Sequence, residues 1–277
     1  MFKIIDLRDY NTPCLITSAD VDYKVFAFPD GEKQIQFLET LTPTSPYLVK
    51  TRITSADELF ILMQTADILN RNNVEWSLYI TYLMTMRMDR VMDDNRPFSL
   101  KIVADIIRNL GAKDIQIVEP HSDVSTTLIG ATSIRGVWYE QAVASVENPI
   151  ICYPDKGACK RYADIFLPHN CSTIQFEKVR DLNTGKITGL VCENIQTVRG
   201  KNVVVIDDLV DGGATAVSIV EQLRKNGADQ IVFVCAHAVN EVGLQRISSA
   251  FDHVYITDSY KAWNEKEYPN ITVYPAL

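Results

Sequence analysis

The stretch from Asn202 to Ala216, NVVVIDDLVDGGATA, constrains this chain more than any other. Val203 to Ile206 are β-branched in succession with no polar alternation, the pattern of a strand buried on both faces of a parallel sheet. The run delivers two adjacent acids, Asp207 and Asp208. Asp211, Gly212 and Gly213 then predict a tight turn, with Ala214 after it and Thr215 where a helix should start. That helix, Ala216 to Lys225, carries Val217, Val220 and Leu223 on its inner side and stops before Gly227. A glycine turn between a strand end and a helix N-terminus aims backbone N–H groups and the positive end of the helix dipole at an anion. Two carboxylates beside such a turn suit a polyol phosphate, the acids taking hydroxyls and the turn taking the phosphate. A plain strand–turn–helix with a solvated acidic turn is the alternative reading of the stretch by itself.

A chain of 277 residues, 47% of them hydrophobic, is long enough for two domains with a large core. Its net charge of −8 supplies no global basic field for nucleic acid or an anionic membrane. No apolar run is long enough for a transmembrane helix, and the charged N-terminus is unlike a signal peptide. The six cysteines form no C-x-x-C pair and read as small hydrophobes in a reducing, cytoplasmic setting.

Strand and helix patterns alternate along the chain. Val25 to Phe28 and Gln34 to Phe37 flank the turn Pro29–Glu32 as a hairpin. Ser55 and Glu58 form a capping box before a helix that ends at Arg71 and buries Leu59, Leu62, Met63, Ala66 and Leu69. Trp76 to Met84 is a buried strand, and Met86–Arg90 bunches charges at its carboxyl end. Ser99 to Leu110 is a helix stopped by Gly111, Ile115 to Val118 is a strand, and His121 lies past its end. Leu128 to Asn148 reads as a connector. Ile150 to Tyr153 is a strand ending at Asp155, before a helix from Ala158 to Ile165. A strand from Thr173 to Phe176 precedes a basic loop, Lys178 to Lys186. After the opening stretch come strands at Ile231 to Cys235, Val254 to Thr257 and Ile271 to Tyr274. Ligands of open α/β sheets bind at the strands' carboxyl ends, so His121, Asp155 and the charges at Arg87 are candidates, with ordinary turn and loop roles as alternatives.

One internal repeat is visible. Arg108 to Ser122 aligns without gaps on Arg224 to Ala238, matching at arginine, glycine, alanine, isoleucine, valine and histidine positions. The copies are too far apart for a solenoid. They predict two similar α/β domains with mainly parallel sheets, residues 1–140 and 141–277.

With these motifs in order, the chain resembles the ribose-phosphate diphosphokinases, the phosphoribosyl pyrophosphate synthetases, built on the phosphoribosyltransferase-like fold. The two-acid strand and its turn match the wider fold. Phe28 to Glu32 (FPDGE) resembles the family's FSDGE, Arg87 to Arg90 (RMDR) its RQDR, and Glu119 to His121 its DLH. Pro154 to Gly157 and Lys178 to Arg180 resemble its PDxG turn and mobile KxR.

The resemblance implies transfer of the β,γ-diphosphoryl group of ATP to the anomeric hydroxyl of ribose 5-phosphate. It implies that Asp207 and Asp208 hold ribose hydroxyls and that Asp211, Gly212, Gly213, Ala214 and Thr215 cradle the 5-phosphate. Mg²⁺ is the implied cofactor, with His121 and Asp155 as direct or water-mediated ligands. Lys178 and Arg180 close over the transferring group, with His121 beside them. Phe28, Asp30, Glu32, Arg87 and Met88 are the implied nucleotide residues, those of the hairpin serving a neighbouring subunit of a homo-oligomer. Where the family has DTAGT or DTGGT, this chain has DGGAT, with fewer donors. That loop also admits a larger acceptor whose 5-phosphate is esterified, such as ADP-ribose. A phosphoribosyltransferase would need only one such domain, and a non-catalytic regulatory homologue would be expected to lack Lys178 and Arg180.

Overall fold

A computed structural model describes residues 2–8, 10, 20–166, 171–180 and 187–276, and only the backbone of residues 179, 180, 187 and 188. The chain forms two compact units.

The first unit, Met1–Arg135 with Ser259–Lys261, contains β1 (Lys3–Asp6), β2 (Tyr23–Ala27), β3 (Lys33–Phe37), β4 (Tyr47–Ile53), α1 (Ala56–Arg71), β5 (Trp76–Leu83), α2 (Ser99–Arg108), β6 (Ile115–Val118), α3 (Asp123–Ile129) and β7 (Thr132–Ile134). Its sheet has the order β1-β4-β5-β6-β7, with every pair parallel. Each residue of the central β5 is buried, the polar Ser77 and Thr81 among them, as a strand covered on both faces requires. The expected hairpin is present: β2 and β3 pair antiparallel, with Tyr23 opposite Phe37. The capping box of α1 is complete, Ser55 accepting from the Glu58 amide and Glu58 from the Ser55 amide. Its buried face differs at one position. Met63 is exposed, whereas Ile61 and Thr65 are buried with Leu59, Leu62, Ala66 and Leu69.

The second unit, Gly136–Asp258 with Ala262–Ala276, contains α4 (Trp138–Ala144), β8 (Ile150–Tyr153), α5 (Lys156–Phe166), β9 (Thr173–Gln175), β10 (Glu177–Arg180), β11 (Ile187–Val191), β12 (Val203–Val210), α6 (Ala214–Lys225), β13 (Ile231–Ala238), α7 (Glu241–Ala250), β14 (His253–Thr257) and β15 (Ile271–Tyr274). The six-stranded sheet runs β15-β14-β13-β12-β8-β9, again all parallel, while β10 and β11 form a separate antiparallel ribbon. The β-branched strand of the sequence lies inside this sheet, between β8 and β13, with Val203, Val204, Val205 and Ile206 fully buried.

Three expectations shift. The connector from Leu128 to Asn148 contains β7 and α4, whose Trp138, Tyr139, Ala142 and Val143 are buried. β12 runs on to Val210, because Leu209 and Val210 still pair with His237 and Ala238, so both acids lie within the strand. α6 starts at Ala214, taking in Thr215, and buries Ala216, Ile219, Val220 and Leu223, while Val217 is half-buried. Among the described residues no helix is long and apolar enough to cross a membrane.

Candidate active site

The carboxyl end of β12 gathers three acids of the second unit. Asp207 and Asp208 point to opposite faces, as successive strand residues must. Asp208 is buried and meets Arg161 of α5 with Nη1–Oδ1 at 2.6 Å. Burial opposes the charge on Arg161, but the Asp208 carboxylate outweighs it and holds the guanidinium's pKa above its ordinary value. Arg161 also lies over the Tyr162 ring, 5.6 Å from guanidinium carbon to centroid. The Tyr162 hydroxyl is 2.8 Å from that of Tyr139, which donates to the Asp207 carbonyl at 3.3 Å. The two-acid segment is thereby clamped by α4 and α5.

Asp207 has no such cation among its principal influences. Burial first, then the carboxylates of Asp208 and Asp155, push its pKa well above the ordinary carboxylate range. Asp155, at the end of the neighbouring β8, is held differently. Its Oδ1 accepts the Ala158 amide at 3.1 Å, at the start of α5, and its Oδ2 takes the Lys178 ammonium at 2.7 Å. Burial raises this carboxyl, but Lys178 and the amides of Ala158 and Gly157 prevail, and the net shift is downward. Lys178 sits on β10, within the ribbon. The side chain of Arg180 lies outside the described residues.

The turn after β12 is built against α7. Gly213 takes the left-handed conformation at φ 74° and opens α6. A Cβ on Gly213 would stand 3.0 Å from the Gly243 carbonyl, and a Cβ on Gly243 would stand only 1.5 Å from the Asp211 carbonyl oxygen. Arg246 Nη1 donates to the Gly212 carbonyl at 2.9 Å, and Asn240, which caps α7, reaches Asp211 Oδ1 at 3.4 Å. With its rear carbonyls held this way, the turn leaves Gly212 and Ala214 exposed and Thr215 half-buried. Backbone N–H groups at the start of a 12-residue helix then face outward for an anion.

The first unit holds the remaining candidates. Phe28, Asp30 and Glu32 form the hairpin tip. Phe28 and Glu32 exchange a backbone bond of 2.8 Å, and Asp30 Oδ1 accepts the Glu32 amide at 3.1 Å. Phe28 is exposed and meets Phe26 edge to face at 5.4 Å. Arg87 and Met88 are exposed just past β5. The neighbouring Asp89 is buried and bonded to Arg90 Nε at 2.7 Å, and Arg90 chiefly keeps its carboxyl below the ordinary range, helped by Ser122 and the charge of His121. His121 is half-buried in the bend between β6 and α3.

The structure thus brings Asp155, Lys178, Asp207 and Asp208 together, with Asp211 to Thr215 following in the turn after β12 and the first residues of α6. It adds residues not singled out in the sequence: Arg161, Tyr139 and Tyr162 behind the acids, and Asn240, Gly243 and Arg246 behind the turn. A glycine three residues beyond an asparagine cap, inside a helix, was the legible trace of the second group.

Residues 99–267 match the family model described as phosphoribosyl transferase domain. The ribose-phosphate pyrophosphokinase of Sulfolobus acidocaldarius is 28% identical over 229 residues, covering 79% of this chain and 76% of the relative. That of Aquifex aeolicus is 24% identical over 257 residues, covering 88% and 81%. A crystal structure of phosphoribosylpyrophosphate synthetase from Mycobacterium smegmatis shares the fold, with a TM-score of 0.80 at 19% identity over 99% of this chain and 94% of that one. On these grounds the chain belongs to the phosphoribosyl transferase domain family, and within it stands with the ribose-phosphate pyrophosphokinases.

Proposed function

We infer that this chain is a diphosphokinase that transfers the β,γ-diphosphoryl group of ATP to the anomeric hydroxyl of ribose 5-phosphate. The hydroxyl oxygen attacks the β-phosphorus, and the bond from that phosphorus to the α,β-bridging oxygen breaks. AMP leaves with the bridging oxygen, the hydroxyl proton is released, and the product is phosphoribosyl pyrophosphate. The observation that carries the reading is the strand end where Asp207 and Asp208 meet the Asp155–Lys178 ion pair and lead into an anion-binding turn.

Such transfers depend on positioning and charge neutralisation. Asp207 and Asp208 accept hydrogen bonds from ribose hydroxyls, with Asp208 fixed by Arg161. The amides of Gly212 to Thr215 hold the 5-phosphate. Lys178, resting on Asp155 at 2.7 Å, is one salt bridge away from an anionic phosphoryl group that competes for it. Arg180 joins it as the second cation. In the first unit Arg87, Met88, Phe28, Asp30 and Glu32 bind the nucleotide.

Mg²⁺ fits the donor set. Asp207 is pushed up first by burial and then by the neighbouring carboxylates of Asp208 and Asp155, and a divalent cation relieves that second part. Mg²⁺ keeps several waters and takes further oxygens from phosphates, so few protein ligands are needed. In the second unit Asp155 is the side chain that would hold it, directly or through water. When bound, the ion neutralises charge on the ATP phosphates. The exposed Phe26–Phe28 pair supports a homo-oligomer, in which the hairpin serves a neighbouring copy. Free cysteines, among them the buried Cys152 and Cys235, are in keeping with a reducing cytoplasm.

A regulatory, non-catalytic role is disfavoured by Lys178 in its ion pair, and a lone phosphoribosyltransferase domain leaves the first unit without a task. The test is AMP release from ATP, Mg²⁺ and ribose 5-phosphate by the wild type and Lys178→Ala. The variant should lose about 10³-fold in kcat, as when a charge-stabilising donor is removed, and bind ATP within about twofold of wild type by calorimetry. Turnover that survives the substitution removes Lys178 from the mechanism.

A further inference from the structure

β2 and β3 form a two-stranded sheet of their own, apart from the five-stranded sheet of the same unit. An isolated pair of strands is marginal in water and takes its order from what it packs on. Here that support is thin. Only Ile35 of these two strands is buried. The tip, Phe28 to Glu32, is exposed throughout. A hollow of about 340 Å³, lined by Phe26, Phe37, Ile68 and Asn72 among others, opens between the hairpin and the later turns of α1. Side-chain packing alone therefore gives the tip little to stand on.

Gln64 of α1, half-buried against β3, supplies the hold. Its Oε1 accepts the Ile35 amide at 2.9 Å, and its Nε2 donates to the Lys33 carbonyl at 2.8 Å. The ladder explains why these two groups are on offer. Phe28 donates to the Glu32 carbonyl across the hairpin, and antiparallel pairs alternate between bonded and non-bonded. Counting back from there, Ala27–Lys33 and Val25–Ile35 are non-bonded pairs, with their N–H and C=O groups turned away from β2. One planar carboxamide meets both groups of β3, as the backbone of a third strand would. A second link between hairpin and helix is the Lys33–Asp57 ion pair at 2.9 Å, whose carboxylate side is 62% exposed. An exposed pair of this kind contributes little beside two hydrogen bonds in a half-buried setting.

We propose that Gln64 is a positioning residue for the nucleotide: by serving the hairpin as a third strand, it fixes the tip that carries Phe28, Asp30 and Glu32. This rests on the reading that the tip binds ATP. Gln64 acts through β3 and not on the substrate. Its role needs an acceptor and a donor on one side chain, so a carboxylate of the same length does half the task. The affinity for ATP depends on Gln64, and the affinity for the acceptor, held in the other unit, does not.

The test uses the full chain with two substitutions. Gln64→Met keeps the length and loses both bonds. Gln64→Glu keeps the acceptor and sets a second lone pair against the Lys33 carbonyl. In Gln64→Met the Ile35 amide should exchange its hydrogen about tenfold faster or more, with the amides of β5 unchanged. Its KM for ATP should rise about tenfold, with kcat and the KM for ribose 5-phosphate within about twofold of wild type. Gln64→Glu should show the same rise at about pH 8. Relative to wild type at each pH, its KM for ATP should fall back as the pH drops towards about 5, because the protonated carboxyl donates again. Gln64→Met should show no such recovery. Unchanged exchange at Ile35 overturns Gln64 as the anchor, and a Gln64→Glu variant that never recovers overturns the two-bond account. Faster exchange with an unchanged KM for ATP, or equal rises in KM for ATP and acceptor, overturns the positioning role and leaves the diphosphokinase reading standing. A wild type without turnover overturns that reading and the nucleotide role of Gln64 with it.

Discussion

The two copies of the internal repeat, Arg108–Ser122 and Arg224–Ala238, share their letters and part in their outcome. In both, a helix ends at an asparagine, Asn109 or Asn226, and a glycine at φ 90° or 82° turns the chain into a parallel strand. β6 then stops at Val118, because Glu119 adopts φ 41° and Pro120 has no N–H to give a ladder. The second copy has Cys235 and Ala236 at those positions, and β13 continues to Ala238. His121 consequently leaves the sheet and sits half-buried in a bend, whereas His237 stays in the ladder opposite Leu209 and is 0% exposed. One histidine is released from the sheet and the other is absorbed into the core. In the second unit it is the following helix that braces the strand-end turn, through Asn240, Gly243 and Arg246. A repeat transmits a fold, and a proline directly before the histidine decides which side chain is spent on it.

The largest effect should come from exchanging these fates. His237→Ala removes a fully buried side chain and should cost about 2–4 kcal/mol of stability, read as a lowered denaturation midpoint. His121→Ala should change stability by no more than about 0.5 kcal/mol and lower turnover about tenfold or more. Loss of stability at His121 with none at His237 would break the comparison.

Gly243→Ala tests the helix that serves the second unit. Its methyl cannot coexist with the Asp211 carbonyl, so the turn must shift, at about 1–3 kcal/mol of strain. The expected signature is a KM for the acceptor raised about tenfold with the KM for ATP unchanged. Equal changes in both constants would make Gly243 a general packing residue.

The smallest effect is a matter of pH. The folded state raises the Asp207 pKa, chiefly through burial and then Asp208 and Asp155. The native chain therefore keeps a proton that the unfolded chain has already lost, and stability falls as pH climbs from the ordinary carboxylate range through the raised value. Asp207→Asn removes that fall. The variant should be inactive, more stable than wild type at about pH 8, and no longer so near about pH 4. A stability difference that does not grow with pH would show that Asp207 is not burdened by its neighbours.

Much of this was legible in the sequence because it is local. Val203 to Ile206 specify a doubly buried strand, Ser55 and Glu58 a helix start, and Asp211 to Gly213 a turn, each through its own backbone and side chains. β8 and β15 have the expected limits for the same reason. What escaped is tertiary. α4 is seven residues long, and its apolar residues resemble any mixed connector until they meet the sheet. Met63 and Ile61 trade places because the width of the buried face depends on what packs against it. Arg161 follows an ordinary Gly-Ala-Cys-Lys segment, and nothing local says that its charge will be spent on Asp208, 47 residues away in the chain and 2.6 Å away in space.

The contact between Gly243 and the Asp211 carbonyl has an evolutionary consequence. Turn and helix fit like a casting in its mould, so a residue inserted between Asp211 and Gly213 would have to lift α7 off its seat. Substitutions at Gly212 and Ala214, on the open side, meet no such wall. The exposed side chains of the turn are therefore free to drift singly while its length stays frozen.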